Sequence, residues 1–430
     1  MLKREISRWD LVLLLINSTI GAGIFGLPSQ IYKLSGFYSL PALFLCALIV
    51  LILVLVFAEV ASRFKKTGGP YLYILSAFGK FPAFIIGWLI LITRVSTYAA
   101  LINLLVTYLG FFNEKLITAP YNFIIITVIT FLFSWVNYLG VRNSTLLSNT
   151  LAIAKILPLL IFVVVGLFFI NPQLIDISQP PPPLPDFAAS VLVLIFAFTG
   201  FEAVLVSTGE IKNPRKNIPF ALIFSLSFVA VFYALIQYVS MGTLPDLISS
   251  DKPITDAAQL FMGPVGATLI TIGAVVSIGG TLNAVMLIGS RVPYALSEEK
   301  QFPKFFSHLH PKNRTPIYSL FIFTAVCIVA SLTGSFIYAV SISVISKVLI
   351  FLLVCAAMIK LRKKDPVVTT YFKLKYGYFF AIAGILASIA LLLSSEPSEF
   401  IDVLITIISG LILYGLYKYF SSRQAIPRGS

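Results

Sequence analysis

Charge is the scarcest thing in this chain. Only 11% of its 430 residues are Asp, Glu, Lys or Arg, while 58% are hydrophobic and the mean hydropathy is +0.97. An ordinary globular domain carries about a quarter charged residues, so this composition excludes a soluble fold and implies an integral membrane protein. Cysteine is nearly absent as well. Cys46, Cys327 and Cys355 all fall in apolar runs, which provides neither a disulfide framework nor a zinc spacing. With only His308 and His310, both in one polar loop, no metal site and no cofactor are expected. The first apolar run lacks a small-residue cleavage site and reads as part of the fold, not as a removable signal peptide.

Apolar windows bounded by charge, Gly and Pro predict an all-α protein of twelve spans, near residues 9–34, 38–62, 82–112, 120–140, 146–170, 187–211, 217–242, 262–292, 315–334, 336–361, 376–395 and 398–420. If the N-terminus is cytoplasmic, 25 of the 31 Lys and Arg fall on the cytoplasmic side, Lys33, Lys115 and Lys252 lie outside, and Arg94, Lys155 and Lys347 lie within spans. That split predicts a multi-pass protein of the plasma membrane with both termini in the cytoplasm. It also accounts for the net charge of +14 without a nucleic-acid partner, because the charges flank the spans and do not form one basic face. The proline-rich stretch from Gln179 to Pro185 is expected to be an extended outer strap. Residues 426–430 read as the remnant of a purification tag, leaving 1–425 as a single transmembrane domain.

Two spans are interrupted. Asn17-Ser18-Thr19-Ile20-Gly21-Ala22-Gly23-Ile24-Phe25 places small and polar residues in the first, and Phe196-Ala197-Phe198-Thr199-Gly200-Phe201-Glu202 does the same in the sixth. Broken backbone at membrane depth survives only where protein, water or a ligand satisfies it. The breaks are five spans apart, and five is odd, so they fall at matching places in two blocks of opposite orientation. Paired breaks in inverted repeats are the sequence mark of a transporter's central site.

These stretches, together with Thr67-Gly68-Gly69-Pro70-Tyr71, Phe78-Gly79, the run from Glu210 to Pro219, Ser290-Arg291 and Thr315-Pro316, make the sequence resemble the amino acid-polyamine-organocation superfamily of transporters over nearly the whole chain. The resemblance implies an inverted five-plus-five repeat (9–170 and 187–361) followed by two extra helices (376–420), with broken helices 1 and 6. It further implies an amino acid substrate bound at the breaks. Its carboxylate would meet the backbone amides from Gly21 to Ile24, where the start of a half-helix favours an anion. Its ammonium would meet carbonyls of Ile20, Phe196 and Thr199, Phe196 would close over it, and Phe198, Gly200 and Phe201 would complete the pocket. Ala22 stands where the family often has Ser.

Charges inside spans are functional candidates because the bilayer makes them expensive. By resemblance, Lys155 replaces a coupling sodium ion, with Gly21 and Ser277 as the expected contacts; a static structural cation is the rival reading. Two roles are open to Glu202, proton relay or holding the unwound backbone, and the second is preferred. Arg94 and Lys347 are candidates for pairing with Glu202 or Asp402, or for adding positive potential to the pocket. Apolar and aromatic pocket residues favour neutral amino acids, and Arg94 or Lys347 would favour acidic ones or other organic anions. An intramembrane enzyme lacks a nucleophile with a base in reach, and a channel lacks a continuous polar stripe. Oligomeric state and partner subunits are not legible.

Overall fold

The structure, a computed structural model, describes residues 2–110, 112–333, 336–364, 372–393 and 397–424. Residues 426–430, read above as a tag remnant, lie outside the described residues. Among the described residues every regular element is a helix, and the segments outside the helices hold two isolated β-bridges, Ile6 with Ile211 and Leu309 with Pro316.

The first predicted span is two helices, α1 (Arg8–Thr19) and α2 (Leu27–Ser35), separated by a 3-10 turn at Ala22–Phe25. Ser7 starts α1 with a reciprocal cap, its hydroxyl accepting from the Asp10 amide while the Asp10 carboxylate accepts from its own. Then come α3 (Ser39–Ser62), α4 (Pro70–Phe78) and α5 (Lys80–Gly110). Helix α4 was not expected. Its nine residues are too few to span a bilayer, yet six of them, residues 70–74 and Ala77, are buried, and the helix lies between Gly69 (φ +50°) and Gly79 (φ +91°).

Helices α6 (Tyr121–Tyr138) and α7 (Val141–Gly166) precede the second interrupted region, α8 (Leu184–Phe198) and α9 (Phe201–Val204), which continues as a 3-10 stretch to Glu210. Here the strap is shorter than expected, because α8 already begins at Leu184. Pro185 sits in its first turn, where a missing N–H costs nothing. Helix α10 (Pro214–Thr243) is followed by α11 (Pro253–Glu298), whose 46 residues bend at Gly263 (φ +67°) just before Pro264. The window at 262–292 thus captured only the longer arm. Helices α12 (Ile317–Leu332), α13 (Phe336–Lys364), α14 (Gly377–Leu393) and α15 (Pro397–Gln424) complete the chain.

Seven helical stretches among the described residues are long and apolar enough to cross a membrane. Helices α1, α7, α10 and α11 pack against one another, while α6, α7, α12 and α15 turn large apolar side chains outward, including Phe131, Leu157, Val329 and Leu404. An apolar exterior of this kind suits lipid as the surrounding solvent. Arg291, counted above with the cytoplasmic charges, is instead fully buried inside α11.

Candidate functional site

The two breaks meet. The Ser18 hydroxyl, in the last turn of α1, donates to the Gly200 carbonyl between α8 and α9 at 3.0 Å. Gly200 must be glycine on two counts: its φ is +124°, and a Cβ there would run into the Ser18 carbonyl. On the far side of Gly200, its amide donates to Glu202 Oε2 at 2.8 Å. The other oxygen of that carboxylate faces Arg94 of α5 at 3.6 Å. Lys347 of α13 donates to the Thr199 hydroxyl at 2.9 Å. Asp402 takes no part in these contacts.

Lys155 reaches the first break from α7 and is completely buried. Its ammonium donates to the carbonyls of Asn17 (2.9 Å) and Ile20 (2.5 Å), two of the acceptors that the end of α1 cannot satisfy itself. The expected contact with Gly21 falls instead to Ser277 of α11, whose hydroxyl is 3.4 Å from the Ile20 carbonyl and 3.3 Å from that of Gly21. Thr281, one turn on, reaches the Asn17 carbonyl at 3.3 Å, and the Asn17 side chain donates to Gly280 at 2.9 Å. Lys155 therefore ties α7 to the end of α1 at the point where α1 also meets α11.

Beyond this tie the chain opens. A 3-10 turn bonds residue i to i+3, so the amides of Ala22 and Gly23 at its start are not used within it. Gly23 is exposed, and a Cβ built on it would meet nothing within 4 Å; the same holds at Gly26. Ile24 is buried beside them. The side chains of Ala22 and Phe196 are outside the described ones. Phe198 and Phe201 are each 1% exposed and engaged in packing. Phe198 lies 5.2 Å from Tyr233 between ring centres, and Phe201 sits between Phe57 and Phe351 at 5.4 and 5.8 Å.

Two features escaped the sequence reading. Tyr233 of α10 places its hydroxyl 3.3 Å from both the Thr19 and the Ala197 carbonyls, bridging the breaks. A tyrosine in mid-span was the only signal available. The second feature is a seal at the end of the molecule that carries the N-terminus. The amides of Glu5 and Ile6 donate to the Glu210 carbonyl (both 3.0 Å), Lys212 donates back to Ile6 (2.8 Å), and Gly68 donates to Val206 (2.7 Å). Beneath these bonds Arg291 grips the Glu210 carboxylate through Nε and Nη2 at 3.1 and 2.9 Å, with both side chains at most 1% exposed. Such bidentate pairs are the strongest of the charge-assisted bonds.

A family model described as amino acid permease matches residues 6–414. The branched-chain amino acid permease BcaP of Bacillus subtilis is 30% identical, the match covering 97% of this chain and 93% of that protein. The serine/threonine exchanger SteT of the same organism is 28% identical over 97% and 98% of the two chains, and its methylthioribose transporter is 27% identical over 97% and 94%. With a family match along almost its entire length and a relative at this identity, the chain belongs to the amino acid permease family, whose members are membrane transporters and not enzymes.

Proposed function

We propose that the protein is a secondary transporter that moves neutral L-amino acids across the plasma membrane by alternating access around the paired breaks. The observation that carries this reading is the junction of Ser18 with Gly200 beside the open space at Gly23. In this scheme the twelve spans form two inverted five-helix repeats and two further helices, with both termini cytoplasmic, as the distribution of Lys and Arg favours. The substrate carboxylate rests on the amides of Ala22 and Gly23, which the 3-10 turn leaves unused. The Ile20 carbonyl already accepts from Lys155 and Ser277, so the ammonium is assigned to the α8 side, at the carbonyls of Phe196 and Thr199. Lys155 stands in for a coupling cation, which makes transport independent of sodium and driven by exchange or by proton movement.

Neutral substrates are favoured by the apolar surroundings and by relatives named for branched-chain amino acids and for serine and threonine. A second reading, acidic amino acids or other organic anions, draws on Arg94 and Lys347, two cations that flank Thr199 and Glu202. Uptake of labelled leucine and serine into vesicles reconstituted with the purified protein tests both. The expected result is uptake unchanged when potassium or choline replaces sodium, with glutamate competing at least tenfold more weakly than alanine. A sodium requirement would refute the role given to Lys155, and strong competition by glutamate would transfer the assignment to acidic substrates. In whole cells, a membrane-impermeant thiol reagent is expected to label Asp176→Cys and Asp251→Cys and to leave Lys216→Cys unlabelled, and the reverse pattern would overturn the orientation.

A further inference from the structure

One group of basic side chains takes no part in the site or the seal described above. Where the N-terminal segment, the link after α3 and the start of α10 converge, Arg4, Lys65, Asn213, Pro214, Arg215 and Lys216 line a cleft of about 360 Å³. Four of these six are cations and none is an acid, so the walls repel one another until an anion enters. The start of α10 adds to this potential. Asn213 caps the helix in a left-handed conformation (φ 45°, ψ 55°) without using its side chain, and the helix is 30 residues long. Arg215 Nε is buried without a hydrogen-bond partner, an unfilled donor on a charged group within the cleft lining.

We propose that this cleft binds a phosphate group, carried by an acidic phospholipid headgroup or present as the free ion. Two guanidinium groups and two ammonium groups around one opening suit a compact oxyanion, because guanidinium forks take up pairs of phosphate oxygens and the ammoniums supply further donors. Occupancy would also strengthen the seal. Arg4 already reaches the Lys65 carbonyl at 3.4 Å, it lies two residues from Ile6, and Ile6 pairs with Ile211 just ahead of α10. An anion held by Arg4, Lys65 and Arg215 would therefore join the three segments that close this end of the molecule.

Thermal unfolding of the full chain in detergent, titrated with phosphatidylglycerol, phosphatidylcholine or inorganic phosphate, tests the assignment without relying on any transport activity. Phosphatidylglycerol, inorganic phosphate or both are expected to raise the midpoint, while phosphatidylcholine does not. A response to phosphatidylglycerol alone identifies the lipid headgroup as the source, and an equal response to inorganic phosphate identifies the free ion. Arg215→Gln with Lys216→Gln is expected to weaken the response at least tenfold in concentration, while Lys363→Gln with Lys364→Gln, an exposed basic pair elsewhere, leaves it unchanged. Should the first pair fail to fold, Arg4→Gln with Lys65→Gln, two exposed positions on the opposite wall, carries the same expected loss. A parent-like response in the cleft variants would overturn the proposal, as would an equal loss at residues 363 and 364 or an equal effect of phosphatidylcholine.

Discussion

Lys155→Ala is expected to lower transport in reconstituted vesicles at least tenfold while leaving a folded protein that still reaches the membrane. The reasoning starts from what the ammonium does. Its bonds to the Asn17 and Ile20 carbonyls are worth about 1.5–3 kcal/mol each as bonds to a charged donor. Removing the side chain also removes the cost of burying the charge, which offsets much of that loss. Ser277 and Thr281 remain in place to satisfy part of the freed backbone. The net loss of stability is therefore smaller than the roughly 3–6 kcal/mol to which the two bonds sum. The effect on transport is large, because the end of α1 and its junction with α7 lose their fixed geometry. Unfolding midpoints and uptake measured on one preparation separate the two effects. Full activity in a stable Lys155→Ala protein would leave the lysine without a role at the site.

The second large effect is expected at the seal. Arg291→Met leaves the Glu210 carboxylate buried and unpaired, which costs about 3–5 kcal/mol. Glu210→Met combined with Arg291→Met should recover most of that loss, because a buried ion pair replaced by apolar side chains of similar volume is often neutral or better. Denaturant or thermal unfolding of the two single variants and the double variant gives the coupling directly. Additive losses would mean that the two side chains do not depend on each other, contrary to the geometry.

Much of the site was legible because the bilayer makes irregularity costly. Glycines inside an apolar run announced both breaks, and a lysine between Ala154 and Ile156 could not be casual. Its partners were harder to read. Gly21 and Ser277 were the expected contacts, whereas the ammonium reaches Asn17 and Ile20, and Ser277 shares only the Ile20 carbonyl with it while bonding that of Gly21 itself. Carbonyl direction at a helix end depends on how the chain unwinds, and composition carries no trace of that. The pairing of Arg291 with Glu210 spans 81 positions, so both motifs were visible while the bond between them was not. Helix α4 was missed for a simpler reason: hydropathy windows tuned to 20 residues pass over nine. Tyr233 was one aromatic residue in an apolar span, and its bridging role exists only once both broken helices are placed beside α10.

The most direct test of the central claim is the affinity of Gly23→Val for its best amino acid ligand, with Gly415→Val as the matched control. A Cβ at either position meets nothing within 4 Å, so both backbones leave room for the first atom of a side chain. Gly23 opens onto the space where the substrate carboxylate is assigned, while Gly415 lies on the exposed face of α15. Equilibrium binding of leucine, serine and glutamate to the purified proteins is expected to fall at least tenfold for Gly23→Val and to stay at the parent value for Gly415→Val. Parent-like binding by Gly23→Val would contradict the account, because a carboxylate seated on those amides has no room beside a valine.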